Sequence, residues 1–446
     1  MNSELHRSAS EPLPPKGIAV TDGNGGLKIL MVAPQPFFRA RGTPFSILHR
    51  IRALIGAGHR VDLVTYPFGE DVPMAGLRIF RCKRPPFVHD VKIGPSIAKL
   101  IVDAPLYLRT VRALREDHYD VLHSHEEAAF FAVGLARKRG IRHVYDMHSS
   151  LPQQLRNFRA YDVGTIRFLF ERLERSVLQT CDGVITICPE LADIVAEVSP
   201  SAPHAMIENT ADDSELFGRS TEDVRATLHL KDRRIILYTG TLERYQGIDL
   251  LLGAVSRIRP RHPDARLLIV GGRPDQVKRY EAMARSKGIA AAVTFVGAVH
   301  PSRIPAFFEA ADLIVSSRSS GTNTPLKIYG YMRSRRPLVA TNLPTHTQAL
   351  DSEVACLVEP TEEGLAVGMA RVLEDSAFGQ RIAEAAAARA SQRFSHAAYI
   401  RKVTEFYERV ASRSGQPRAS RWMAPEHDLQ RRVGAAAAKR KARGGR

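Results

Sequence analysis

The chain has 446 residues, 44% of them apolar, which is enough for two or more packed cores. No stretch of eighteen apolar residues occurs, and the four cysteines, Cys82, Cys181, Cys188 and Cys356, match neither a disulfide framework nor a metal-ligand spacing. The composition thus excludes a helical membrane span and a disulfide scaffold, and it fits a reducing cytoplasm. The formal net charge of +17 is uneven, because from Arg413 onward ten Lys or Arg face two acids, Glu426 and Asp428. The remaining excess lies on the folded part and suits anionic ligands or an anionic membrane surface.

Residues 1–26 are polar, rich in Gly and Pro, and lack an apolar h-region with a cleavage site, so they read as the disordered start of a chain that is not secreted. Short β-branched runs then alternate with amphipathic stretches, the rhythm of parallel sheets covered by helices. Strands are expected at 28–33, 60–66, 120–123, 143–146 and 183–187, and helices at 43–57, 95–116, 128–139 and 165–180. The last helix shows a clear period, with Ile166, Leu169, Phe170, Leu173 and Val177 on one stripe and Arg167, Arg172 and Arg175 off it. The helix over 95–116 carries Ile97, Leu100, Ile101, Ala104, Leu108 and Val111 at helical spacing and Arg109, Arg112 and Arg115 on another side. It reads either as a sheet-covering helix or as an interfacial one, with Pro105 expected to kink it or to start a second segment.

A Pro-, Asp-, Ser- and Thr-rich stretch over 201–231 reads as a linker, and a second strand series follows at 234–239, 266–270, 293–296, 313–315, 337–340 and 355–358. The domain plan is therefore 27–200 and 232–385 as two α/β domains, 386–412 as C-terminal helices returning to the first, and 413–446 as a basic disordered tail. Two such halves face each other across a cleft lined by loops at the strand ends.

Those loops carry the candidate chemistry. Gly42-Thr43-Pro44 follows the first strand and is either a capped helix start or a place to hold ligand charge. His123, His125 and Glu126 close one strand and Asp146-Met147-His148 the next; three histidines at adjoining strand ends suggest a site, with a metal centre as a weaker alternative. Thr241, Arg244 and Gln246 lie in a strand-to-helix loop able to wrap a phosphate, and Gly271-Gly272 reads as a plain turn or as a close approach to a ring. The run Thr322-Asn323-Thr324-Pro325-Leu326-Lys327 leaves a strand through small polar residues and enters a helix with a cation in its first turn, a combination suited to an anion.

Taken together, residues 28–410 resemble the glycosyltransferases of family 4, which implies a GT-B fold, a retaining sugar transfer from a nucleotide-diphosphate sugar, and no metal or other cofactor. The resemblance places the family's N-terminal Gly-rich loop at Gly42-Thr43 and its first-domain active-site histidine at His148. It also shows departures. The family's diphosphate-binding Arg and Lys correspond to Thr241 and Gln246, and its paired glutamates, eight positions apart, to Thr322 and Gly330. Arg244 or Lys327 is then expected to supply the missing positive charge.

The resemblance implies His148 as the catalytic contact to the sugar. It implies Gly42, Thr43, Thr241, Arg244, Gln246, Gly271 and Thr322 to Lys327 around the donor, and His123, His125 and Glu126 around a glycan or lipid-linked acceptor. It is also compatible with a cytoplasmic protein peripheral on the inner face of a membrane. A catalytically silent sugar-nucleotide binder and a sugar-nucleotide epimerase share this architecture and remain alternatives. Specific nucleic-acid binding is disfavoured, since Lys439-Arg440-Lys441 lacks interleaved aromatics.

Overall fold

The computed structural model describes residues 26–39, 42–91, 97–153, 164–210 and 221–412. The expected disordered start, the basic tail and the middle of the linker lie outside the described residues. The described residues up to Val410 belong to one compact unit built on two parallel sheets.

The first sheet has seven strands in the order β3-β2-β1-β4-β5-β6-β7, all parallel. They are β1 (Lys28–Ala33), β2 (Arg60–Thr65), β3 (Leu77–Arg81), β4 (Val121–His125), β5 (Arg142–Met147), β6 (Gly183–Thr186) and β7 (His204–Met206). Strand β1 is buried along nearly its whole length, which is why it reads as an unbroken apolar run rather than an alternation. On one face lies α1 (Gly42–Gly56); on the other lie α2 (Ile97–Glu116), α3 (Ala129–Arg139) and α4 (Gly164–Thr180), whose inner residues form two apolar clusters against the sheet.

The second sheet runs β10-β9-β8-β11-β12-β13, again all parallel, and is built from β8 (Arg234–Thr239), β9 (Ala265–Val270), β10 (Val293–Gly297), β11 (Leu313–Ser316), β12 (Leu338–Thr341) and β13 (Cys356–Val358). In both sheets the first strand of its domain sits between neighbours reached in opposite directions, β1 between β2 and β4 and β8 between β9 and β11. That reversal opens a crevice at the strands' C-terminal ends, where ligands bind in such folds. Helix α5 (Ile248–Ile258) packs on one face of this sheet, while α6 (Lys327–Arg333) packs on the other.

The last described helix, α7 (His396–Ser412), crosses back to the first domain. Its Tyr399, Val403, Phe406, Tyr407 and Val410 join the cluster formed by β1, α1 and β6. Gly183 is required there, since a Cβ on it would lie 2.8 Å from the Phe406 ring and 2.9 Å from Val410.

Three expectations need correction. Strands β3 and β7 were not anticipated, and β7 falls inside the stretch read as linker. Pro105 neither divides nor ends α2, which continues from Ile97 to Glu116. The buried face of α4 is also rotated from the expected stripe: Leu169 is 55% exposed, whereas Glu174 is buried with Val177 and Leu178. Glu174 turns inward because it accepts hydrogen bonds from the Ser150 hydroxyl (2.9 Å) and the Leu151 amide (3.1 Å). Burial pushes its carboxyl up to about 7.

Candidate active site

A wide cleft separates the two sheets. Its first-domain wall includes Gln35, Gly42, Thr43, Lys99, Glu126 and His148, and its second-domain wall includes Gly240, Arg244, Gly271, Arg318, Thr322 and Lys327. One hydrogen bond ties the walls together at the centre, where the Asn323 side-chain amide donates to the His148 carbonyl at 2.7 Å.

On the second-domain wall two cations converge. Lys327 Nζ lies 3.9 Å from the centre of the Tyr238 ring and donates to the Thr239 carbonyl and to Gln246 Oε1, both at 3.2 Å. Arg318 comes from the loop after β11; it lies 5.3 Å from the Tyr245 ring and donates to Thr345 Oγ1 (2.8 Å) and to the Asn323 carbonyl (3.2 Å). Among the described residues neither cation has a carboxylate partner, and the buried Arg318 Nε has no hydrogen-bond partner. Burial lowers the pKa of both groups, and Arg318 lowers that of Lys327 further, well below the ordinary lysine range. Two basic groups held in a cleft wall without a counter-ion make a site for an anion, whose charge would favour the protonated amine of Lys327.

The remaining residues of the two loops frame this pair. Gln246 is buried, held by the Tyr238 hydroxyl (3.1 Å) as well as by Lys327, while Thr241 presents its carbonyl to the same hydroxyl at 2.7 Å. Arg244 lines the cleft and is exposed. Gly271 adopts φ +118°, and a Cβ there would come within 2.1 Å of the Gly240 carbonyl oxygen, so the turn is also a contact that tolerates no side chain. Thr324 and Pro325 are buried beneath the loop surface, and Leu326 packs into the core behind it. Helix α6 has only seven residues, which leaves the side-chain cations rather than a long dipole as the main source of positive potential.

On the first-domain wall His148 is the histidine that reaches the cleft. His123 and His125 are fully buried and do not line it, which corrects their placement around the acceptor. They support His148 from behind. His125 Nδ1 is 3.0 Å from His148 Nε2, and His123 Nδ1 is 2.5 Å from the Tyr407 hydroxyl of α7.

Asp146 stands at the centre of this cluster. Its carboxylate accepts from Arg50 Nε at 2.9 Å and lies 3.3 Å from His123 Nε2 and 3.5 Å from His148 Nε2. Burial alone would raise the Asp146 pKa, but the Arg50 charge, followed by the histidines, overrides it and holds the carboxyl well below its usual range. Burial pushes the pKa of both His123 and His125 down, which favours their uncharged forms. His123, His125 and Asp146 are close enough to share a metal ion. Arg50 pairs with Asp146 Oδ2, leaving Oδ1 without a hydrogen-bond partner among the described residues, and the guanidinium charge beside the cluster opposes a cation.

Glu126 lines the cleft on the first-domain side. It accepts from Gln35 Nε2 at 2.6 Å and from the Thr43 hydroxyl at 3.4 Å, which gives Thr43 a role in holding Glu126. Lys99 of α2 lies 3.7 Å from Glu126 and 2.5 Å from Glu127, whose carboxyl burial pushes up to about 7. Arg318 and Lys99 were not singled out from the sequence. For Arg318 a signal existed, an arginine among Ser316, Ser317, Ser319 and Ser320 at a strand end, whereas Lys99 sits on a helix face with no local mark.

The Glycosyltransferase Family 4 model matches residues 41–215, and the model described as Glycosyl transferases group 1 matches residues 220–389. The chain belongs to the family 4 glycosyltransferases. The α-D-kanosaminyltransferase of Streptomyces kanamyceticus is 25% identical over 68% of this chain and 81% of its own. Among solved structures, sucrose-phosphate synthase from Thermosynechococcus elongatus matches with a TM-score of 0.71 at 21% identity, covering 87% of this chain and all of that one. Anabaena HepE, solved in complex with UDP-glucose, matches at 0.65 and 18% identity over 86% of this chain and 99% of its own. The fold of this family 4 chain is thus GT-B, as the two parallel-sheet domains require.

Proposed function

We propose that this glycosyltransferase moves a hexosyl group from a nucleotide-diphosphate sugar to a glycan or lipid-linked acceptor, with retention of configuration. The observation that carries this is the Arg318–Lys327 pair, two half-buried cations on the cleft wall without a carboxylate between them. The donor diphosphate occupies that position, with Arg244 at its exposed edge and Thr322 to Leu326 shaping the loop around it. As the glycosidic bond breaks, negative charge grows on the leaving phosphate. A preorganised cation pair stabilises that charge more than it stabilises the intact donor.

His148, at the junction of the two walls, contacts the transferred sugar, and the Asp146 cluster fixes its ring. Glu126, with Gln35, Thr43 and Lys99 around it, receives the acceptor. The proposed transfer requires no metal, since the two cations supply the charge. An acceptor carried on lipid makes the enzyme a cytoplasmic protein working at the inner face of a membrane; among the described residues no helix is long and apolar enough to cross one.

Loss of the family's glutamates at Thr322 and Gly330 favours one second reading, a protein that binds sugar nucleotides without turnover. Incubation with radiolabelled UDP- and GDP-sugars, with and without a membrane extract, tests both. Label on lipid or glycan supports transfer, binding without product supports the silent reading, and an altered free sugar nucleotide indicates epimerisation.

A further inference from the structure

Glu174, on the inner face of α4, is 6% exposed and has no cation beside it among the described residues. Glu171 of the same helix is another acid, and Tyr145 of β5 lies in the field of Glu174. The other elements packed on α4 meet it with apolar side chains. Phe130 of α3 lies against Phe170, and Leu191 and Val195 of the helix Pro189–Val198 share one cluster with Val177 and Leu178. A buried charge without a counter-ion destabilises a fold, so the place of Glu174 is explained by what it holds.

Its two hydrogen bonds go to the loop that follows β5, one to each carboxylate oxygen. The Ser150 hydroxyl donates to Oε1 at 2.9 Å and the Leu151 amide to Oε2 at 3.1 Å. That loop starts at His148, two residues before Ser150. It is also tied at its ends: the His148 carbonyl accepts from the Asn323 side chain, and Gln153 Nε2 donates to Glu190 Oε1 at 2.9 Å. Glu174 holds the middle of the loop from inside the domain, and its partner Ser150 is a cleft residue like His148.

We infer that Glu174 is a positioning residue for the proposed transfer, its ionised carboxylate fixing the loop that carries His148. The inference rests on the sugar contact proposed for His148. The ionised carboxylate accepts both bonds at full strength, because each is charge-assisted. Protonated, the group keeps one full acceptor oxygen and gains an O–H that must itself donate, so the Ser150 hydroxyl has to turn. Burial, with a further push from Glu171, moves the carboxyl up to about 7, which brings that change close to neutrality.

The test is Glu174→Gln in the full-length protein, which keeps the shape, removes the charge and, like the protonated acid, offers one acceptor and one donor. Transfer from radiolabelled UDP- and GDP-sugars into a membrane extract is followed from about pH 5.5 to about pH 9, beside calorimetric titration with UDP and GDP and thermal melts. The parent kcat is expected to fall as pH drops through about 7. At alkaline pH the variant should be at least about tenfold slower, with parental nucleotide affinity and without that inflection. His148 and Glu127 are ionisable groups present in both proteins, so the difference between the two profiles isolates Glu174. Its folded pKa lies above the ordinary value of 4.5, so the parent loses stability as pH rises through about 7. The glutamine variant should then melt at or above the parent at alkaline pH, with the advantage gone below 4.5. A lower melt together with a lower rate would make the glutamate merely structural and overturn the inference, as would a parental pH profile in the variant. Amide exchange over residues 148–153, read by mass spectrometry, needs no turnover and should be at least about tenfold faster in Glu174→Ala; unchanged exchange would also overturn the inference. Faster exchange with no transfer by the parent protein would leave the anchor standing and overturn the proposed reaction instead.

Discussion

Replacing Lys327 by methionine separates its two possible duties, holding a phosphate and holding the fold. The methionine keeps the length of the side chain and its packing on Tyr238, whose ring lies 3.9 Å from the ammonium. It removes two hydrogen bonds, to the Thr239 carbonyl and to Gln246 Oε1. The Thr239 carbonyl keeps the Tyr331 hydroxyl at 2.9 Å, while Gln246 Oε1 keeps only a share of the Tyr238 proton, at 3.1 Å, because that hydroxyl also donates to the Thr241 carbonyl at 2.7 Å. The fold therefore loses little.

The lysine also carries a penalty that methionine lacks. Burial, and then Arg318, depress its pKa in the folded state, so folding disfavours the charged amine. In that situation the unfolded chain binds the extra proton, and the penalty shrinks as pH rises toward the ordinary lysine value. Lys327→Met is thus expected to melt at or above the parent temperature, with the advantage larger at neutral pH than at alkaline pH. Donor affinity moves the other way. Loss of one charge-assisted bond to phosphate is worth about 1.5–3 kcal/mol, or roughly 10- to 150-fold in Kd. Isothermal titration with a sugar nucleotide beside a thermal melt reads both quantities. Unchanged affinity would remove the diphosphate from Lys327, and a collapsed melt would make the lysine structural.

His148→Ala should lower kcat by about 100-fold or more, as expected for loss of a positioning contact, while the melt falls only modestly because His125 loses a single partner. Near-parental turnover would remove His148 from the site. Asp146→Asn leaves the buried Arg50 without its counter-charge and should cost about 3–5 kcal/mol in chemical denaturation. Arg50→Met combined with it should recover most of that loss, and additive losses would refute the pairing. Gly271→Ala forces a Cβ against the Gly240 carbonyl, so it should weaken donor binding and lower the melt together; a neutral outcome would mean that the turn moves freely.

Much of the architecture was legible because parallel strands buried on both faces read as β-branched runs, as Lys28–Ala33 does. The missed strand Leu77–Arg81 lies at a sheet edge and mixes Arg78 and Arg81 with apolar residues without a period of two, and His204–Met206 is too short to show a period among the Pro and Ser around it. Lys327 could be picked out as a cation beside a small polar loop. Arg318 could not be assigned a role, because its surroundings come from three loops: its own, the one bearing Tyr245 and the one bearing Thr345. The histidine cluster was visible as a cluster, but its depth was not. His123 is sealed by Tyr407, 284 positions away in the chain, and no local pattern reports a helix that returns from the other domain.

The departures from the family pattern become consistent once charges are compared in space. Where the family pattern has a lysine, this chain has Gln246, and the ammonium of Lys327 sits 3.2 Å from that glutamine's oxygen, reached from the opposite loop. The two positions that would carry glutamates hold Thr322 and Gly330. The positive charge has therefore been kept while the neighbouring negative charge has been removed, and the wall is left with a net excess. A nucleoside diphosphate released by transfer carries one more negative charge than the sugar nucleotide it came from. At such a wall the added charge is worth on the order of 1 kcal/mol, about fivefold in Kd. UDP should then bind more tightly than UDP-glucose and inhibit turnover competitively with the donor, and Gly330→Glu should narrow the difference. Equal or weaker binding of UDP by the parent protein would mean that the Arg318–Lys327 pair does not face the scissile phosphate.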